Sequence, residues 1–482
     1  MSQYDQLEPR AIWDIFGRLS AVPRGSGNEA AVMTMLQKWA AERGLKTKRD
    51  EVGNLLVSIP ATPGHEKAAP VLIQGHVDMV CEKNAATKHD FTKDPIRLVV
   101  EGDWVRAEGT TLGADNGIGV AMGLAPAVDR SFAHGPLEVL LTVDEERGLT
   151  GAAGVKAGFF TAGRMINLDS EEDDAIFIGC AGGRDTRFVL RPTQAKAPKE
   201  SAGRKVVVSG LKGGHSGLNI HENRGNAIKI MTRLLRAAAE ELDVRVVAID
   251  GGKMRNAIPR EAVASVVIPS AQGRAFKQRV DALAARIRAE LEGIDDGLSV
   301  KISTVQAPRC FSRDASRNLL NLMAAIPNGV LEMSPAIPGL VQTSSNLGVA
   351  RTEGAKVELV CCSRSSVMSV LEALVAQHRA LGELVGAEID QPAGYPGWKP
   401  NPRSELLGAV KRQYAKAFSR EPALKAVHAG LECGLLTEKY PGLDMVSFGP
   451  NLHGVHSPDE KVSVASVQKI WTLLKGVLAD LA

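Results

Sequence analysis

No charge sign dominates this chain of 482 residues: 58 Lys and Arg stand against 55 Asp and Glu, a formal net charge of +3. Such balance argues against nucleic acid as the main partner. A short basic patch at 46–49 is followed directly by Asp50 and Glu51 and is read as a solvated helix end. The six cysteines include no C-x-x-C pair. A chain this long needs no disulfide staples, so the thiols are expected to be reduced and mostly buried. The opening residues lack a basic start followed by an apolar core, so no signal peptide is expected. No apolar run approaches the roughly 20 residues that span a bilayer. These absences predict a cytoplasmic protein. Internal repeats and low-complexity tracts are also lacking, and aromatics are scarce at 4%.

Glycine, by contrast, is plentiful at 48 residues, which suits many tight strand-to-helix turns in an α/β architecture. The length predicts two domains. Helical spacing of apolar residues runs over 9–19, and a second helix is expected over 28–43 with Gly44 at its C-terminal cap. Strand-like runs come next at 54–59, 71–74, 137–142 and 165–168, with a helix over 117–128 between them. Short apolar runs alternating with helices predict a largely buried, mostly parallel mixed sheet with helices on its faces. After Gly179-Cys-Ala-Gly-Gly-Arg184 the pattern changes to strands at 204–209 and 262–268 and amphipathic helices at 226–239 and 275–291, the texture of an α+β domain on an antiparallel sheet. Residues 391–402 hold four prolines and two glycines, which is linker composition. Beyond them, helices are expected again over 406–418 and 464–478.

The chemistry sits at the strand ends. Val71-Leu-Ile-Gln-Gly-His76-Val-Asp78 runs from a strand into an imidazole and a carboxylate. The strand beginning at Leu137 ends in Asp144-Glu145-Glu146, and Met165-Ile-Asn-Leu-Asp169 ends in an aspartate. In open α/β sheets, C-terminal strand ends converge on the ligand crevice. Convergence would gather His76, Asp78, Glu145, Glu146 and Asp169, too much negative charge to leave unpaired. One or two divalent metals are the simplest neutraliser. Leu112-Gly-Ala-Asp115-Asn-Gly117 adds a carboxylate between glycines that could bridge two cations. His456, in a proline- and glycine-rich loop near the C-terminus, adds a second imidazole. Imidazole and carboxylate together suit zinc, with cobalt or manganese as substitutes.

Jointly, these strings resemble the Xaa-His dipeptidase family, also called cytosol non-specific dipeptidases, within the dinuclear zinc clan of aminoacylases and carboxypeptidases. The resemblance spans nearly the whole chain. It is carried by Gln74-Gly-His-Val-Asp-Met-Val-Cys-Glu-Lys-Asn84, Leu112-Gly-Ala-Asp-Asn-Gly117, Asp144-Glu-Glu146, Gly213-Gly-His-Ser-Gly217, Ser344-Ser-Asn-Leu-Gly348 and His456-Ser-Pro-Asp-Glu460. It implies a catalytic domain formed by residues 1–182 and 397–482, and an inserted lid and dimerisation domain at 183–396. It also implies two Zn2+ per subunit, one on His76, Asp115 and Asp169, the other on Asp115, Glu146 and His456. A zinc-bridging hydroxide would attack the peptide, with Glu145 as general base and Asp78 orienting His76. In the lid, His215 would stabilise the oxyanion across a homodimer, Asn256 and Arg364 would hold the substrate carboxylate, and Gly430 would offer backbone contacts. The implied substrates are dipeptides with free termini, including Xaa-His peptides and β-alanyl-histidine.

Each piece alone has a plainer account. A His-x-Asp pair at a strand end is commonly structural, and Asp144-Glu-Glu146 or the acidic run 169–174 could be solvated loop. The joint placement after apolar strands favours metal. His453 is an alternative donor to His456, but the His-Ser-Pro-Asp-Glu string favours the latter. His221 and His428 read as packing or pocket-lining groups, and Cys81 as a buried thiol rather than a nucleophile. Gly113–Gly119 lacks the Lys-Ser/Thr ending of a phosphate-binding loop.

Overall fold

The computed structural model describes residues 3–482; Met1 and Ser2 of the expected first segment lie outside them. The chain forms two compact units. The first comprises Met1–Cys180, Trp398–Ala426 and Leu431–Ala482, and the second Ala181–Gly397 and Val427–Gly430. The short segment Val427–Gly430, expected from the sequence to belong to the catalytic domain, therefore clusters with the second unit.

The first unit is built on an eight-stranded sheet. Its strands are β1 (Lys46–Arg49), β2 (Leu55–Ile59), β3 (Val71–His76), β4 (Leu137–Thr142), β5 (Arg164–Asn167), β6 (Ala175–Cys180), β7 (Ala423–Val427) and β8 (Asp444–Ser447), in the spatial order β1-β2-β4-β3-β5-β8-β6-β7. The central strands β4, β3, β5 and β8 are mutually parallel, while β1, β2 and β6 pair antiparallel. All six residues of β3 are buried, as a central strand covered on both faces requires. Helix α1 (Arg10–Ser20) packs on α3 (Ala114–Leu124), which packs on β3, while α2 (Ala30–Ala41) packs on β1 and β2. The helices Glu405–Phe418 and Val464–Asp480 pack against each other, the former also on β8.

The basic patch at 46–49 is a strand and not a helix end. Its four residues are exposed, at the margin of the sheet. Lysine on an edge strand discourages pairing with a further strand, and its charge is solvated equally well there.

The second unit centres on a nine-stranded antiparallel sheet, with eight strands in one path from Ser299–Val305 to Glu388–Asp390 and Gly329–Met333 attached beside Val341–Glu353. Helices Ala227–Ala239, Gly273–Glu290 and Arg313–Ala325 contribute Ile228, Leu235, Phe276, Val280 and Leu319 to the core that covers it. Asn226, the first residue of the expected helix at 226–239, is its cap, accepting from the N–H groups of Ile228 and Lys229. Of the cysteines, five are buried and Cys81 is exposed, against expectation. It lies beyond the end of β3, where the chain has left the covered part of the sheet. No described helix is long and apolar enough to cross a membrane.

Candidate active site

Parallel pairing aligns the C-terminal ends of four strands. His76, the last residue of β3, is in register with Thr142, the last of β4, and Gln74 with Asn167, the last of β5. Asp78, Glu145 with Glu146, and Asp169 come within a few residues of those three ends. His456 comes after β8 by way of a longer loop.

Beneath them the strand ends carry a buried polar floor. Asn167 donates to Gln74 (2.6 Å), Gln74 donates to Glu432 (2.5 Å), Thr142 donates to Glu432 (2.8 Å), and Ser447 donates to Asn167 (2.5 Å).

On this floor the donors converge. His76 Nε2 lies 3.1 Å from Asp115 and 3.3 Å from Asp169. On the other side of Asp115, His456 Nε2 lies 3.2 Å from Asp115 Oδ2 and 2.9 Å from Glu146. Of the four groups among the described residues that meet the spacing of a metal site, with ligand atoms within 4.8 Å of one another, three lie here: His76, Asp115 and Asp169; Asp115, Glu146 and His456; and His76, Glu145 and Glu146. The first two share Asp115. Asp78 stands behind His76, with Oδ1 3.3 Å from Nδ1, and accepts from the N–H groups of Glu145 (3.0 Å) and Glu146 (3.2 Å). It thereby fixes both the imidazole and the turn that bears the two glutamates. Two non-glycine residues at the site are left-handed, Asp144 (φ 53) and His456 (φ 63). Backbone strain of this kind persists where surrounding structure holds it.

The protonation states record the crowding. Burial raises the Asp169 carboxyl to about 7, with Asp115 and Glu146 adding to it against the pull of His76. Burial drives Glu145 well above its ordinary range, the nearby Asp169, Glu432 and Glu146 reinforcing it. Burial opposes a charge on His76, yet Asp169, Asp115 and Asp78 outweigh it and raise the imidazole well above its usual value. Hydrogen bonds to Asp115 and Glu146 raise the half-exposed His456 to about 10. In contrast, Asp115 is held low despite its burial, by His456 and His76. Asp169 Oδ1 is buried with no hydrogen-bond partner among the described residues. Without a cation, then, carboxyls are pushed toward neutrality and imidazoles toward charge. A divalent ion relieves both, and the oxygen and imidazole donors suit one chemically. The residues therefore fit a metal site.

His453 has a different place. It sits in the short strand Leu452–His453, and its ring lies 5.1 Å from that of Trp104.

The other expected site residues all lie in the second unit. His215 pairs with Ala257 in a short ladder, and Ser216 N–H donates to the Asn256 carbonyl (2.8 Å). His215 Nδ1 accepts from Gly217 and Leu218 N–H, so its proton sits on Nε2. Burial and the nearby Arg364 lower its pKa, which keeps the ring neutral. Arg364 is buried, donates to the Tyr395 hydroxyl (2.7 Å), and its Nε has no partner among the described residues. Gly430 lies against the Tyr395 ring, where a Cβ would stand 2.8 Å from Cε2. His428 is buried, and its Nε2 lies 2.7 Å from Ser344 Oγ.

Four residues near the donors are given no role by the sequence. Arg24 is a buried cation whose guanidinium donates to the carbonyls of Val77 (2.8 Å) and Gly113 (2.5 Å). Glu432 is fully buried, and burial raises its carboxyl to about 7. Burial likewise raises Glu171 to about 7, with Asp115 and Glu460 adding to the effect. Glu460 is a buried carboxylate in contact with the Asp115 turn. Glu460 closes the His456-Ser-Pro-Asp-Glu string, but neither it nor Glu432 comes after an apolar strand, the signal that marked the others.

The chain is 42% identical over 482 residues, all of it and 99% of the relative, to the cytosol non-specific dipeptidase of Escherichia coli K12. Its fold superposes with a TM-score of 0.95 on the crystal structure of aminoacylhistidine dipeptidase from Vibrio alginolyticus, at 40% identity and covering 99% and 98% of the two chains. An aminopeptidase from Bacillus cereus, at 17% identity and a TM-score of 0.58 over 98% of this chain and 99% of that one, shares the fold. Residues 72–480 match the model of the peptidase family M20/M25/M40, and the chain belongs to that family.

Proposed function

We propose that this peptidase is a dinuclear zinc dipeptidase, hydrolysing dipeptides with free termini, Xaa-His among them. The observation that carries the reading is the pair of donor triads sharing Asp115, with Glu145 beside them. His76, Asp115 and Asp169 would hold one zinc ion, and Asp115, Glu146 and His456 the other, with cobalt or manganese as substitutes. When bound, the two ions would supply Lewis acidity toward the peptide carbonyl and lower the pKa of the attacking water.

The chain's own groups do the rest. Glu145 takes a proton from the attacking water at its carboxylate and returns it to the leaving amine. Asp78 holds His76 by Nδ1 and leaves Nε2 facing the carboxylates. His215, neutral with its proton on Nε2, donates to the oxyanion, and Arg364 with Asn256 binds the substrate carboxylate. Gly430 contributes backbone contacts. The second unit is read as the lid and dimerisation domain of a cytoplasmic homodimer. The names of the relatives from E. coli and V. alginolyticus support dipeptides as the substrate class.

The test is hydrolysis of Gly-Gly and L-Ala-L-His by the zinc-loaded protein, beside Glu145→Ala and N-acetylated controls. Cleavage of the free dipeptides, lost in the variant and absent for blocked substrates, is expected. Cleavage of the acetylated substrates instead would move the activity to acyl-amino acids.

A further inference from the structure

The turn that carries Asp115 is held by two buried charges of opposite sign. On one side, Glu460 accepts four backbone N–H bonds: Leu112 (2.7 Å) and Gly113 (3.0 Å) on Oε2, Ala114 (2.8 Å) and Asp115 (3.3 Å) on Oε1. On the other, Arg24 bonds the Gly113 carbonyl and, with the same guanidinium, the Val77 carbonyl beyond the end of β3. Gly113 is left-handed (φ 69), and a Cβ there would meet Arg24 Nη2 at 2.5 Å and Met79 Sδ at 2.7 Å, so the close approach requires glycine. Helix α3 starts at this turn, and Gly113, at its N-cap, supplies no side-chain cap. The chain is kinked there, Asp115 and Asn116 being non-helical, and a carboxylate placed 345 residues further along the sequence accepts from the N–H groups of this opening turn.

Glu460 is itself anchored in the loop that carries His456. Its N–H donates to Ser457, and Ser457 N–H donates to Gly454, while Lys461–Ser463 pairs with Trp104–Ala107. The donors Asp169 and Glu146 leave strand ends of the sheet directly. Asp115 and His456 do not: Asp115 sits in the kinked opening turn of α3, where its own φ/ψ are not helical, and His456 in a loop, held left-handed. One carboxylate joins that turn to that loop. We propose that Glu460 is a positioning residue that ties the Asp115 turn to the His456 loop and so assembles the cation position shared by Asp115, Glu146 and His456. The inference rests on the two-ion reading above. A plain helix cap in the same place would affect stability and leave the two cation positions alike.

The experiment is a competitive Zn2+ titration of the full metal-free chain against a chromogenic chelator, comparing wild type, Glu460→Gln, His456→Ala and the double variant. The glutamine has one acceptor oxygen, and its NH2 faces N–H donors. Affinity at the position of Asp115, Glu146 and His456 is expected to fall about 10- to 100-fold, and the position that shares only Asp115 with it to fall clearly less, because outer groups that orient ligands have effects of that size. The double variant should be no weaker at that position than His456→Ala alone, since both changes act on the same ligand arrangement. Equal weakening of both positions, unchanged binding, or full additivity in the double variant overturns the proposal. If Glu460→Gln does not fold, judged by circular dichroism of the metal-free chain, Glu460→Asp decides by the same criteria: it keeps the charge but is one methylene too short to reach all four N–H groups. A wild type that takes up fewer than two ions fails the parent reading and this one with it. Two ions in wild type and an unchanged variant overturn the positioning role alone.

Discussion

Glu29, Asp78 and Asp144 bring three carboxylates as close together as His76, Asp115 and Asp169 bring their donors. The two groups are neighbours, linked by the His76–Asp78 pair. In the first, Glu29 accepts from the N–H groups of Gly27 (2.8 Å) and Asp144 (3.1 Å). Asp78 accepts from Ser26 (2.8 Å) and two backbone N–H groups, and Asp144 from Arg147 (2.6 Å). Asp78 is accordingly lowered to about 2 despite its burial, His76 and these donors stabilising its charge. In the second group, Asp169 is pushed up to about 7, and its Oδ1 makes no hydrogen bond among the described residues, facing only His76 Nε2 at 3.3 Å. Proximity of acids is common to both. What separates them is whether the protein has already used their lone pairs.

The largest effect expected from this contrast is on turnover. Glu145→Gln keeps the shape of the base and removes its proton-accepting charge, so kcat should fall about 10²- to 10⁴-fold with zinc content unchanged. Loss of zinc in that variant would place Glu145 among the ligands, an assignment its spacing from His76 and Glu146 also permits.

Next is Asp169→Asn, which should remove one zinc ion yet stabilise the metal-free protein at pH 8. The sign comes from linkage: a carboxyl whose folded pKa is about 7, above its unfolded value, contributes stability that is present in acid and lost as pH rises through 7. The metal-free wild type should therefore lose stability between about pH 4 and 7, and the variant, lacking this group, should lose less. Its metal-free Tm at pH 8 should be higher by about 2 °C. A lower Tm would mean that the attraction to His76 outweighs the burial and repulsion that raise Asp169.

The same contrast explains what the sequence made legible. His76, Glu145, Glu146 and Asp169 could be placed because β3, β4 and β5 are apolar runs with parallel pairing, and the end of a buried strand fixes where its next few residues lie. The helices 226–239 and 406–418 were equally readable from their apolar period. Glu460 and Arg24 were not, because their partners are backbone groups of the distant Leu112–Asp115 turn, and backbone groups carry no side-chain signature in a sequence. The strand at 46–49 was missed because an exposed edge strand has no buried face and hence no alternation. Cys81 was misjudged for a related reason: it lies only five residues past a buried strand, but the covered region ends at Met79. The long hairpin of Val341–Glu353 and Lys356–Ser365 holds Ser344, Ser345, Asn346 and Ser363 buried, polar residues whose burial depends on partners far along the chain.

Two milder substitutions sharpen the comparison within the satisfied cluster. Asp78→Asn should weaken zinc binding about 10- to 100-fold without abolishing it, because His76 loses its oriented partner while every ligand remains. An amide also cannot accept at both former oxygens, so the N–H groups of Glu145 and Glu146 lose part of their anchor, and kcat at saturating zinc should fall too.

Glu29→Gln tests the cluster at the point farthest from the donors. The Glu29 carboxylate uses one oxygen, Oε1, for both N–H bonds, and an amide oxygen can keep them. The change should cost about 1 kcal/mol or less, as the loss of a charge-assisted component of a satisfied bond does. Zinc stoichiometry should stay at two per chain, as measured by elemental analysis of the purified protein. If Glu29→Gln instead removed an ion, the cluster of Glu29, Asp78 and Asp144 would itself hold a cation, and satisfied lone pairs would no longer distinguish a structural acidic cluster from a metal site.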